Sequence, residues 1–504
     1  MCLQALYHMN HLSRRNFISL GARALSGALL LPPASGLLES CSKTPLITDL
    51  DWKSLDNQLM GEVLLPNGSA IWNSFTTSYA LQYGKIVPKA VVRCVNEKDV
   101  STAIKWARER ELPLVTRSGG HSYAGFSSTY GLLLDLSMMT DISIDLSKGL
   151  ATVAGGARNR NVYATLRDPN LSITHGRCKD VGVGGLVLGG GIGFNMRYNG
   201  LTCDSLVETT MVTAEGEIIK CSDTENKELF WAIRGAGGGN FGVHTSFVFK
   251  PFPVTTVTRF NLFWDSLAIN ILMKLQEVLL TAPNELGAKV SVEAVPTRKP
   301  KNTIRVRLLG QLRGSKQEIE AILKPVTDIL TPNGLETMIE EPYWDAQEFL
   351  SENGEPEYVQ ERCRFAFEPI SEAGYYAILS NLEDWPKNSG YAMWKYFLTG
   401  GAIDKIPKEA TAFWARGVKM ITSIDIGWDP KVDKNIPENL TWIDRFHDQM
   451  ELYTSKHCFI NFIDRRQKNH LDAYYGPHLE RLKQVKRIID PKNFFNFPMG
   501  IPIS

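Results

Sequence analysis

Two glycine-bearing segments constrain this chain most. One is Arg117-Ser118-Gly119-Gly120-His121-Ser122; the other is Gly176-Arg177-Cys178 with the glycine-rich run from Gly182 to Gly193 behind it. Glycine lacks the Cβ that keeps main chains apart. Such runs mark places where backbone N–H groups approach one another or a ligand's phosphates. Each segment also carries a nucleophile. Alone, His121 reads as a polar turn residue and Cys178 as a small buried hydrophobe. Together, on two glycine loops of one chain, they read as two attachment points for a bound group. Arg177 beside Cys178 predicts a thiolate there.

At 504 residues the chain is too long for one core, so two or three domains are expected. A net charge of +1 gives no footprint for nucleic acid or an anionic membrane. Of the 8 cysteines, Cys2 and Cys41 fall near the N-terminus, and the rest fit no zinc spacing, so no metal is expected. One or two disulfides are compatible with export. Ser13-Arg14-Arg15-Asn16-Phe17-Ile18 is a twin-arginine pattern, and the stretch from Leu20 to Leu31 is too short and polar to span a bilayer. This predicts export of the folded protein to the periplasm or cell envelope. Leu38-Glu39-Ser40-Cys41 makes Cys41 a candidate lipid anchor, and Met9 is a candidate start. No later stretch predicts a transmembrane helix.

Along the chain, residues 42–84 read as a lead-in of helix and loop. Short strands are predicted at Val91–Val95, Leu112–Thr116, Leu132–Leu136, Ile142–Asp145, Ala151–Val153 and Val207–Val212. Helical spacing predicts Glu97–Glu111 and Glu225–Arg234. Gly237 to Gly242 satisfies G-x-G-x-x-G, but it follows a helix and opens onto the predicted strand Val243–Phe249, so a Rossmann site is rejected. After Phe252-Pro253 the texture changes. Helices at Leu267–Leu280 and Lys316–Ile329 alternate with strands at Lys289–Val295, Thr303–Leu309, Gly390–Leu398 and Val418–Ile426. The fold class is α+β. The boundaries are an export signal at 1–41, the lead-in at 42–84, a cofactor domain at 85–252, a substrate domain at 253–458, and a returning segment at 459–504. The substrate domain is expected to be an antiparallel sheet covered by helices.

From about Lys85 to Ile503 the chain resembles the berberine bridge enzyme-like, or glucooligosaccharide oxidase-like, family of FAD-linked oxidases. The two loops carry the resemblance together with Tyr474-Tyr475-Gly476, Arg481-Leu482, Val485-Lys486 and Asp490-Pro491-Lys492-Asn493-Phe494-Phe495. The resemblance implies a PCMH-type FAD-binding domain. It also implies FAD bonded through its 8α-methyl to His121 and through ring carbon 6 to Cys178. Arg117, Ser118, Gly119, Gly120, Ser122, Gly176, Gly182, Gly184, Gly185, Gly189 and Gly193 would surround the cofactor, with Gly242, Val243 and Asn493. Val181 would stand near the oxygen-reacting face, where valine accompanies oxidases. Where the family often has histidine after the first Gly-Gly, this chain has Leu186. Two bonds on one ring edge leave the site open to large substrates.

Alcohol oxidation also needs a proton acceptor. The family commonly draws it from a Tyr-x-Asn-Tyr segment, which here reads Phe459-Ile460-Asn461-Phe462. Phenylalanine has no exchangeable proton. Asn461 keeps its place. Asp425 is a substitute candidate, sharing a strand face with Ser423 by period-two alternation; its plain reading is a solvated carboxylate. Tyr396 and Tyr198 are further candidates. The expected function is an exported FAD oxidase that removes hydride from a carbohydrate hydroxyl, giving a lactone at oligosaccharide C1, and reduces O2 to H2O2. The alternatives are an oxidase of a secondary-metabolite alcohol and a flavoprotein that has lost alcohol oxidation.

Overall fold

The structure, a computed structural model, describes residues 47–333 and 338–504; the expected export signal, with Arg14, Arg15 and Cys41, lies outside them. The first four strands are β1 (Glu62–Leu64), β2 (Ala90–Arg93), β3 (Leu114–Arg117) and β4 (Leu132–Asp135). They form a sheet in the order β1-β2-β4-β3, with β2, β4 and β3 parallel and β1 antiparallel at the edge. The lead-in therefore supplies a strand as well as helix and loop. The helix Glu97–Glu109 crosses from β2 to β3. Asn96 caps it, accepting from Lys98 N and Asp99 N at 2.9 and 3.0 Å. Val100, Ala103, Ile104 and Ala107 are fully buried at helical spacing, each large apolar side chain worth about 1.5–3 kcal/mol. Buried Asp99 receives the N–H groups of Met60, Gly61 and Val95 at 2.8–3.0 Å and so fastens the lead-in to this unit.

The next strands are β5 (Ile142–Asp145), β6 (Leu150–Ala154), β7 (Leu171–Ser172), β8 (Leu206–Val212), β9 (Ile218–Ser222), β10 (Val243–Phe249) and β11 (Phe252–Pro253). Five make an antiparallel sheet in the order β5-β6-β10-β8-β9, and β11 pairs with β7. The helix expected at Glu225–Arg234 is shorter, Lys227–Ala232. Asn226 in the left-handed region opens it, and Gly235 at φ 122° stands just beyond its end.

The remaining strands are β12 (Thr256–Trp264), β13 (Leu286–Val295), β14 (Thr303–Leu312), β15 (Met338–Pro342), β16 (Tyr358–Ala366), β17 (Ala392–Leu398) and β18 (Met420–Trp428). They form one antiparallel sheet in the order β15-β12-β14-β13-β17-β18-β16. Its two faces differ sharply. One carries Val290, Val292, Trp394, Tyr396, Ile424 and Ile426, all buried against the helices Ala268–Thr281, Lys316–Thr327, Glu372–Glu383 and Ile436–Met450. Strand alternation puts Lys289, Lys395, Phe397, Ser423, Asp425 and Glu361 on the other face.

The C-terminal tail is clasped by Lys486. Its fully buried ammonium donates to Asn240 O, Asp490 Oδ2 and Phe495 O at 2.6–2.7 Å, so all three of its protons are satisfied. Ile501 N donates to Asn240 Oδ1 at 2.9 Å. The tail thereby closes on the Gly237–Gly242 loop. The six described cysteines are free thiols. Among the described residues no helix is long and apolar enough to cross a membrane, and no group of His, Cys, Asp and Glu could hold a metal.

Candidate active site

β3 delivers the chain into the Ser118–Ser122 turn, and Cys178 leads into the turn before Gly182. The two loops meet at their glycines. A Cβ on Gly119 would stand 2.2 Å from Gly182 N, and one on Gly182 would stand 2.3 Å from Gly119 N. Neither position accepts a side chain without parting the loops. Ser118 Oγ donates to Gly155 O at 2.8 Å, and Asn159 Nδ2 donates to Cys178 O at 2.8 Å. His121 stacks on Tyr79 at 3.6 Å between centroids, and the Tyr79 hydroxyl donates to Glu357 Oε1 at 2.9 Å. Burial holds the imidazole down at about 4, so it is neutral at pH 7.

A single cleft runs along these loops. Ser118, Gly119, Gly120, His121 and Ser122 line it from one side, and Gly176, Cys178, Val181 and Gly182 from another. Gly184, Gly185, Gly193, Gly242 and Val243 also line it. Three expected cofactor residues do not. Arg117 turns away, its guanidinium donating to the carbonyls of Phe75 and Thr77. Gly189 is the room Asn461 needs, since a Cβ there would meet Asn461 Oδ1 at 1.9 Å. Asn493 lies off the cleft, and its neighbours Phe495, Asn496 and Phe497 line it instead. The Gly237–Gly242 loop, rejected as a Rossmann turn, follows a helix and precedes β10 as expected, yet it too lines the cleft. These residues fit a flavin. His121 Nε2 is buried without a hydrogen-bond partner, and the glycine loops present bare main chain to the same space.

Cys178 corrects one expectation. Arg177, paired with Glu352 Oε2 at 3.0 Å, still favours the thiolate, but it is outweighed. The thiol itself donates to Glu352 Oε1 at 3.0 Å. Burial first, and then the Glu352 charge, push the thiol up.

At the sheet end of the cleft the lining residues are Lys395, Phe397, Phe459, Asn461, Phe462 and Tyr123. Asp425 is neither solvated nor on the cleft wall. It is 5% exposed, accepts from Ser423 Oγ at 3.1 Å, and is in short contact with Lys395 Nζ. Glu361 Oε1 is 3.2 Å from the same ammonium, without the alignment of a hydrogen bond. Burial opposes the charge on Lys395, but Asp425 and Glu361 outweigh it and hold the lysine protonated. Burial, then Asp425, push Glu361 up. Two carboxylates thus share one lysine, and only Lys395 of the three reaches the cleft.

Tyr396 is corrected outright. It points to the opposite sheet face, into the core beside Trp394. Tyr198 is 39% exposed against Arg313, away from the cleft. Asn461 lines the cleft and donates to Leu186 O at 2.9 Å, which makes it a support of the glycine run. Among the cleft residues that went unread in the sequence are Tyr123, Lys395 and Glu352. Tyr123 directly follows the His121-Ser122 pair. Lys395 is a lone charge in the apolar run Ala392–Leu398, a signal of a functional lysine. Glu352 sits in an irregular loop that carries no such signal.

Comparison with known proteins agrees with this geometry. A family model for an FAD binding domain matches residues 88–222, and one described as berberine and berberine like matches 458–502. The chain is 34% identical over 426 residues to the uncharacterized FAD-linked oxidoreductase YgaK of Bacillus subtilis, covering 82% of this chain and 91% of that one. It is 27% identical over 447 residues to the xylooligosaccharide oxidase of Thermothelomyces thermophilus, covering 82% and 87%. The structure of berberine bridge enzyme from Eschscholzia californica superposes with a TM-score of 0.80 at 25% identity, covering 90% of this chain and 98% of that one. The chain belongs to the berberine bridge enzyme-like family and is an FAD-linked oxidase of that family.

Proposed function

We propose that this oxidase is exported, carries FAD bonded to both His121 and Cys178, and removes hydride from a substrate hydroxyl. The observation that carries the reading is the pair of nucleophiles on touching glycine loops in one cleft. Neutral His121 is competent as a nucleophile at physiological pH. A flavin held in this cleft would supply the hydride acceptor for the substrate carbon and the route of the electron pair to dioxygen, with hydrogen peroxide as the product. Lys395 orients the hydroxyl and relays its proton towards Asp425 and Glu361, a pair with room for one. Val181 keeps the oxygen side open.

The substrate class is a carbohydrate hydroxyl, with oligosaccharide C1 oxidised to a lactone; similarity to a xylooligosaccharide oxidase supports it. A second reading, a secondary-metabolite alcohol with an aromatic part, is favoured by Phe397, Phe459 and Phe462 on the cleft wall. The test has two parts. Acid-precipitated protein should keep its yellow colour in the pellet, and anaerobic bleaching should be screened with a panel of sugars and aromatic alcohols. Complete release of flavin on denaturation sinks the covalent reading. Bleaching by alcohols alone selects the second substrate class.

A further inference from the structure

The loop after the helix Tyr343–Leu350 lies across both attachment residues. Lys179 N donates to Glu352 O at 2.8 Å, Glu352 N to Arg177 O at 3.2 Å, and Asp180 N to Asn353 O at 3.2 Å. Cys178 and Glu352 are thus paired in a short parallel bridge. Two residues on, Gly354 has φ +81°, and a Cβ there would stand 2.7 Å from His121 Nε2 and 3.4 Å from Cys178 Cβ. One backbone clip therefore touches both nucleophiles, and its carboxylate takes the hydrogen bond of one.

That carboxylate could be a base for the thiol or a brake on it. Burial works against the charge of Glu352, but Arg177, the thiol hydrogen bond, Lys289 and Lys395 outweigh it and hold it down at about 2. A thiol starts from 9.0, and burial pushes this one higher. Glu352 is held charged while the thiol it accepts from is pushed up, so the proton stays on the sulfur and the carboxylate is no base for it. Without the Glu352 charge, burial would still raise the thiol, but Arg177 and Lys395 would then draw it down unopposed by a carboxylate. The other titratable groups facing Cys178 are His121 and the phenols of Tyr79, Tyr123 and Tyr163.

We propose that Glu352 is a latch on Cys178, a positioning residue that keeps the sulfur a neutral, aimed thiol and so sets the pH and pace at which the second flavin bond forms. The inference rests on the bicovalent reading. In that step the S–H bond and the ring carbon 6 C–H bond break and a C–S bond forms. Two electrons and two protons leave by way of the ring to dioxygen, which departs as hydrogen peroxide. A latched thiol is also shielded from oxidation before that step, because the thiolate is the oxidisable form.

The test uses the full chain from flavin-starved cells, loaded with FAD, quenched in acid at intervals and digested to find the flavin-bearing peptides. Before loading, the rate of Cys178 alkylation by iodoacetamide is followed against pH. In Glu352→Gln both rates should rise at lower pH than in wild type. At pH 8 each should be faster by roughly tenfold or more, the worth of one pKa unit. Arg177→Gln should move both the other way, which keeps the idea testable if one variant fails to fold. Profiles that do not move, or a Glu352→Gln slower than wild type at every pH, overturn the latch. Wild type with flavin on His121 alone sinks the bicovalent reading, and the alkylation profiles then still decide whether Glu352 holds the thiol.

Discussion

Asp425→Asn tests the relay assigned to the sheet end of the cleft. Asn keeps the volume and can still accept from Ser423, while Lys395 keeps Glu361 Oε1 at 3.2 Å. Removing one partner of a buried ion pair typically costs about 3–5 kcal/mol when it leaves the other charge alone. Here it does not, so about 1–2 kcal/mol is expected, a modest drop in the unfolding midpoint. The substitution also removes the like charge that helps push Glu361 up, so Glu361 ionises more readily and replaces Asp425 as the partner. Flavin reduction should slow by less than about tenfold. Lys395→Met should behave differently. It strands Asp425 and Glu361 without a counter-ion, so one must hold a proton, and it removes the group that reaches the hydroxyl. Reduction should fall by roughly a hundredfold to ten-thousandfold. The double variant Asp425→Asn/Glu361→Gln should exceed the sum of its singles, by about 0.5–3 kcal/mol of coupling. Stopped-flow anaerobic bleaching and thermal unfolding read both effects. If Asp425→Asn alone slows bleaching a hundredfold with an unchanged flavin spectrum, Asp425 is the base itself and the relay is wrong.

Gly119→Ala should sharply reduce the yield of yellow protein, because its Cβ would stand 2.2 Å from a main-chain nitrogen that cannot move without parting the loops; absorbance per protein measures it. Val181→Leu should slow reoxidation of the reduced enzyme in air while leaving reduction by substrate nearly intact, and equal reoxidation rates would remove Val181 from oxygen access. Burial, then Arg177 and Lys395, hold the half-buried Lys289 down at about 7, against 10.5 in the unfolded chain. Between those values the unfolded state binds the extra proton, so stability from this group rises with pH and its burial cost is greatest below 7. Lys289→Met should therefore stabilise the protein most at low pH, with the gain shrinking towards pH 10.5, as thermal midpoints across pH would show.

The glycine loops were legible because the physical demand is local. A close approach of two main chains excludes every Cβ, and Gly119 and Gly182 carry that demand in their identity. Helices such as Ala268–Thr281 and Lys316–Thr327 were legible within a residue or two because their apolar spacing faces a single core. The ion cluster was not. β16 reads Tyr358-Val359-Gln360-Glu361-Arg362-Cys363-Arg364-Phe365-Ala366, polar enough to pass for a surface loop, yet Gln360, Glu361, Arg362 and Arg364 are all buried. Each charge finds its partner on an element distant in the chain. Arg362 pairs with Asp444 and Asp464, at 2.7 and 2.8 Å, and Glu361 meets Lys395 across β18. Tyr396 was misread for the same reason. Period two tells which residues share a face, but only the packing of the helices tells which face is core. The residues that bear a chemical demand alone can be read in order along the chain. Those that bear it in partnership, as Glu352 does with Cys178 and Lys395 with Asp425, become visible only when the fold brings the partners together.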